Sequence, residues 1–180
     1  MRSSIALASL LAVLALCACK KDTVVARNES EESVARKVAA SDLKPQPGRW
    51  ESRTKLEKLD LPNVPPQAKA MMDKQMQVTQ TFTSCLTPEQ VSQPNGGFFQ
   101  KGAENCKYDH FVMAGGSLDA RMTCNERAGS MTMTLQGRYT PTDYAIDVTT
   151  QGEMQPGMPM SMKMSVAARR VGECTGKEDR

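Results

Sequence analysis

The chain has 180 residues, of which 39% are hydrophobic and only 4% aromatic. Its 23 Lys and Arg nearly balance 20 Asp and Glu, so no strong field exists for gripping nucleic acid. His110 is the only histidine, which excludes a His-rich metal site.

Arg2 precedes an apolar run from Ile5 to Leu16, broken only by Ser9. The run is too short for the roughly 20 residues of a transmembrane helix; it suits the core of a signal peptide over residues 1–18. Leu16-Cys17-Ala18-Cys19 then resembles a bacterial lipobox, with a small residue directly before the acylated cysteine. Choosing Cys17 instead would put Leu16 at the small position. The expected product is a lipoprotein acylated on Cys19, whose several chains give stable membrane anchoring. Lys20 and Lys21 follow, with no Asp directly after Cys19, which points to the periplasmic face of the outer membrane. The alternative is an ordinary secretory signal cut near the same place.

Residues 19–46 are charged and free of aromatics, with scattered valines and alanines. That composition predicts a flexible tether, with a transient helix at most over Ser33 to Ala40. Residues 47–175 carry the domain, and 176–180 read as a disordered tail. A strand is expected after Pro47-Gly48, with Trp50, Thr54 and Leu56 inward. Pro65-Pro66 opens a helix whose Ala68, Met72 and Met76, with Met71 beside them, make an apolar stripe. A further strand covers Val78 to Cys85.

Cys85, Cys106, Cys124 and Cys174 remain after removal of the signal and the anchor. An even count in an oxidising compartment predicts two disulfides. No Cys-x-x-Cys pair supports zinc. Gly115-Gly116 marks a hairpin turn, and Cys106 and Cys124 lie equally far from Gly115. That register also pairs Tyr108 with Met122 and Val112 with Leu118, putting all six on one face. His110 would then face inward. Cys106–Cys124 comes first, leaving Cys85–Cys174; Cys85–Cys106 with Cys124–Cys174 stays open as the second connectivity.

The alternation continues to the C-terminus. Met131, Met133, Leu135 and Tyr139 share one parity; so do Tyr144, Ile146 and Val148, and so do Met158, Met160, Met162, Met164, Val166 and Ala168. One apolar and one polar face is the mark of antiparallel strands with a solvated outer side. The expected fold is mainly β (α+β): a curved antiparallel meander of about seven strands with one packed helix and two disulfides.

Pro47-Gly48-x-Trp50-Glu51, Cys85-Leu86-Thr87-Pro88, Cys106, Met122-x-Cys124, Gly137-x-Tyr139 and Gly172-x-Cys174 occur in that order. Together they resemble the bacterial envelope family catalogued as domain of unknown function 3617, over about residues 45 to 175. The resemblance implies an exported domain and carries no catalytic or binding residues. Arg49 stands where that family commonly has an aliphatic residue.

Methionine is the chemistry to weigh. Met158, Met160, Met162 and Met164 could offer soft thioether ligands to Cu(I), with Met131 and Met133 as further donors if their strand lies alongside. Against this, methionine also fills aromatic-poor cores. No Gly-x-Ser-x-Gly, P-loop or paired-carboxylate motif appears, so neither an enzyme nor a cofactor is expected. The expected role is a non-catalytic binding or structural accessory, joined to the membrane by its lipid, with any protein partner unnamed. A carrier of an apolar ligand is the second alternative, and it requires a cavity of about 300 Å³ or more inside the sheet.

Overall fold

The computed structural model describes residues 22–76, 78–92, 105–126 and 129–178. The expected signal peptide and Cys19 lie outside them. Among the described residues, eight strands form a single antiparallel sheet: β1 (Thr23–Ser30), β2 (Gly48–Asp60), β3 (Gln80–Leu86), β4 (Cys106–Ala114), β5 (Ser117–Glu126), β6 (Gly129–Tyr139), β7 (Asp143–Gln155) and β8 (Met158–Gly172). Three helices accompany them: α1 (Glu31–Ala39), α2 (Pro66–Met76) and α3 (Pro88–Ser92). The strand order is β1-β4-β5-β6-β7-β8-β2-β3, so β4 to β8 form a meander and β2–β3 joins through β8.

The stretch expected to be a tether is structured from Thr23 onward, which corrects that reading. β1 pairs with β4 from Thr23↔Ala114 to Ser30↔Lys107, burying Val24 and Ala26. Ser30 then caps α1 by accepting from the Ser33 amide at 3.3 Å. Glu31 and Glu32 occupy the first turn and Arg36 and Lys37 the last, matching the helix dipole. Val34 and Val38 pack into one core with Tyr108, Phe111, Met113, Leu118, Ala120 and Met122. Few apolar residues suffice, because they land on a sheet that already presents an apolar face. At about 1.5–3 kcal/mol for each buried aliphatic side chain, Val24, Val34 and Val38 offset part of the ordering entropy, and the β1–β4 ladder and the helix hydrogen bonds add to it.

The segment after α1 is stitched down as well. Ser41 Oγ donates to the Val38 carbonyl at 2.7 Å, and the Gln46 amide donates to the Pro141 carbonyl at 2.8 Å. The tail reading is also corrected in part: Glu178 accepts from the Thr175 amide at 2.7 Å and the Gly176 amide at 2.9 Å.

The expected helix forms as α2, but α1 covers the core. Ala68 and Met72 of the expected stripe are half-buried, with Met72 facing β2, whereas Met71 beside them is 73% exposed. A second correction concerns register. Cys106 and Tyr108 oppose Cys124 and Met122 as expected, but a bulge at Asp109 shifts the rest. Beyond it Met113 faces Leu118, Val112 faces Asp119, and His110 faces Arg121. One extra residue exchanges the two faces of a strand. Phe111 and Met113 therefore enter the core, while His110 turns to the outer side.

Two glycines let the sheet bend. A Cβ on Gly137 would stand 2.8 Å from the Ile146 Cα, and one on Gly152 would stand 2.8 Å from the Met131 Cα. Neighbouring backbone comes too close for any side chain at either point, as at the kinks of curved sheets.

Candidate functional site

Both disulfides of the preferred pairing are formed. Cys106 and Cys124 are direct cross-strand partners with Cα atoms 3.9 Å apart, both buried in the core. Cys85 and Cys174 have Cα atoms 5.4 Å apart and join edge strand β3 to the segment after β8.

α1 packs on the inward face beside β1 and β4, placing Val34 and Val38 in the core that β4 and β5 line. Further along the sheet burial is uneven: Ile146, Thr150, Ala168 and Trp50 are buried, whereas the two central apolar rows thin to half-buried side chains from Met133 and Leu135 on β6 to Leu56 and Leu59 on β2. Ladder register traces one row from Ala120 through Leu135 and Val148 to Met164 and Leu56. The next runs from Met122 through Met133 and Thr150 to Met162 and Leu59. Ala120 is fully buried and Met122 nearly so, whereas Met162, Met164, Leu56 and Leu59 are only half-buried. Met160 is half-buried too, and Met158 is 36% exposed beside the β7–β8 turn. Leu59 escaped the sequence reading because a second bulge, between Leu56 and Lys58, moves it onto this face.

The four candidate methionines thus share one face of one strand, but the register does not converge their sulfurs. Met162 stands between Thr150 and Leu59, and Met164 between Val148 and Leu56. Met131 and Met133 belong to β6, and β7 lies between β6 and β8. The second element that chelation requires is therefore not alongside. Among the described residues, no three His, Cys, Asp or Glu side chains gather as a metal site.

The cleft between β2 and α2, lined by Leu59, Leu61, Val64, Lys69 and Met72, holds only about 10 Å³. That is room for one water, far below what an acyl chain needs. A larger hollow of about 160 Å³ lies at Glu51, Arg53 and Ala167 to Arg169, where charged groups border it.

On the outer face, His110 Nε2 lies 2.5 Å from Asp119 Oδ1, and Gln136 donates to Asp119 Oδ2 at 2.9 Å. The Gln136 amide first, and His110 second, hold the Asp119 carboxyl below the usual range. This is a solvated cross-strand network on β4, β5 and β6. Inside, burial pushes the phenols of Tyr108, Tyr139 and Tyr144 upward, so all stay protonated in the working range of pH. The charge of Glu31 adds to the effect at Tyr108. Tyr108 and Phe111 meet edge to face with centroids 5.3 Å apart, as core residues do.

Comparison with known proteins finds one family: the one described as protein of unknown function (DUF3617) matches residues 45–174. No curated protein and no solved structure matches. The matched span begins after β1 and α1, although both contribute to the core.

Proposed function

We infer, for a chain that belongs to the DUF3617 family of proteins of unknown function, a lipid-anchored accessory of the cell envelope that binds without catalysis. Acylation at Cys19 would hold it on the periplasmic face of the outer membrane. Docking would use the inward face over β7, β8 and β2. The observation that carries this reading is a half-buried apolar patch on β8 and β2 that extends rows fully buried on β5. Met160, Met162, Met164, Leu56 and Leu59 continue the core's rows yet remain half-buried. A contiguous apolar surface of this kind suits an interaction better than solvent. Flexible thioethers also suit a surface that must adapt to what covers it.

The register, which puts β7 between the β8 methionines and Met131 and Met133, weighs against Cu(I). Support for a non-catalytic role comes from the described titratable groups: the perturbed ones are core phenols, surface carboxylates and Glu31, which burial raises at the first turn of α1.

Photo-methionine incorporated throughout the full-length protein in cells tests the docking face. Irradiation is expected to give adducts to another molecule from Met160, Met162 and Met164, and only internal ones from the buried Met113 and Met122. Purely internal adducts from β8 would remove the docking reading. Acylation is checked separately: mass spectrometry is expected to find lipid on Cys19, and its absence would remove the anchor.

A further inference from the structure

We propose that the rim formed by the β4–β5 turn and the β6–β7 turn rests against the headgroups of the bilayer that holds the Cys19 acyl chains; this rests on the acylation reading above. The argument is one of reach. Only residues 20–22 separate Cys19 from Thr23, the first residue of β1. Four peptide steps, fully stretched, span at most about 14 Å. A coil over the whole of 19–46 would instead average about 30 Å between its ends and leave the domain free to turn. The headgroup region of one leaflet is about 5–8 Å deep, so the start of β1 cannot leave its neighbourhood.

What lies at the start of β1 is fixed by hydrogen bonds. Thr23 pairs with Ala114, directly before the Gly115-Gly116 turn. The Gly116 carbonyl accepts from the Tyr139 amide at 2.9 Å, which joins this turn to the end of β6. The Thr140 amide donates to the Asp143 carbonyl at 2.8 Å, closing the next turn. The Pro141 carbonyl accepts from Gln46 at 2.8 Å, and that of Thr142 from Arg170 at 2.7 Å. Thr23, Gly115, Gly116, Thr140 and Thr142 therefore move as one body.

The rim's chemistry fits a headgroup surface. All five of those residues are exposed and uncharged, and open space surrounds the position of a Cβ on Gly115. The Asp143 carboxylate, which would repel lipid phosphates, is turned onto the hydroxyls of Thr140 and Thr142. Arg138 is exposed near the end of β6, and Lys20 and Lys21 adjoin the anchor and outnumber the single carboxylate of Asp22 that follows them. No apolar wedge is presented, so the rim would lie on the surface without inserting.

The full-length acylated protein on vesicles of phosphatidylethanolamine and phosphatidylglycerol, doped with a gadolinium-chelate lipid, tests this. Amide relaxation enhancement is expected at Gly115, Gly116 and Thr142, at least about tenfold above that at Asn125 and Ser130, one strand length of about 30 Å away. Insertion of a long Gly-Ser linker between Asp22 and Thr23 should collapse the difference while amide exchange in β4 and β5 stays native. Equal enhancement at both ends of β5 in the acylated protein, or a difference that survives the linker, would overturn the proposal. An unacylated Cys19 in the same sample would overturn the anchor reading and the proposal with it.

Discussion

Tyr139, buried at the end of β6, donates its phenolic hydrogen to the main-chain carbonyl of Leu43. Two segments far apart in sequence are joined by this bond, and its acceptor lies in the stretch whose composition resembles a tether. Leu43 itself packs against the core, and its amide is held by Ser41 Oγ at 3.2 Å. Tyr139 thus latches the connection between α1 and β2 onto the sheet.

Tyr139→Phe keeps the ring and removes the donor, leaving the Leu43 carbonyl in a poorly solvated place. The expected cost is about 1–2 kcal/mol in urea unfolding. Amide exchange of residues 40–47 should quicken more than that of β5. Uniform acceleration across the domain would show that the bond does not act as a latch.

The two disulfides differ in burial and in the loops they close. Cys106 and Cys124 are each 5% exposed, whereas Cys85 is half-buried and Cys174 exposed. A thiolate must reach a sulfur to exchange with it. Dithiothreitol under native conditions should therefore open Cys85–Cys174 first, as read by alkylation and peptide mapping. That bridge spans 89 residues against 18 for the other. On chain entropy its loss costs about 4–5 kcal/mol, the larger of the two before strain. Preferential alkylation of Cys106 and Cys124 would contradict this order.

The alternation of apolar residues made the β-rich fold legible, because directly opposed strands repeat the same parity from Leu118 to Ala168. It could not reveal the bulge at Asp109, since one inserted residue changes no composition and the apolar run from Phe111 to Met113 fits either face. β1 and α1 were hidden for a different reason. Val24, Ala26, Val34 and Val38 are too few to form a core among themselves, and they order only against β4 and its neighbours. The candidate docking face was readable as apolar from Met158 onward. Its incomplete cover was not, because that depends on where along the sheet α1 packs.

Arg49 carries a correctable defect. On β2 it stands between Gly172 and Cys85, and its buried Nε has no hydrogen-bond partner among the described residues. An unpaired buried donor costs about 1–3 kcal/mol. Arg49→Leu removes that donor at a position where the family resemblance already favours an aliphatic side chain. A gain of about 1 kcal/mol is expected, seen as a higher urea midpoint with an unchanged slope. A loss of similar size would mean that the stem and outer nitrogens contribute more than the orphaned donor costs.

The outer-face network makes a pH prediction with a definite sign. Asp119 has its carboxyl held low by Gln136 and His110. A carboxyl with a depressed folded pKa stabilises the fold above its unfolded value and loses that contribution as pH falls through the folded one. The window is therefore acidic, beginning near pH 4, the ordinary range for Asp, and extending below it. Because Asp119 is largely exposed, solvent screening keeps the effect small. Asp119→Asn should flatten the fall in stability below that pH, and Gln136→Leu should flatten it more than His110→Gln does, following the order of their influence. Chemical unfolding at closely spaced pH values reads this directly. An unchanged acid slope in Asp119→Asn would show that the folded and unfolded carboxyls titrate alike, and that the contacts to Gln136 and His110 form without holding charge.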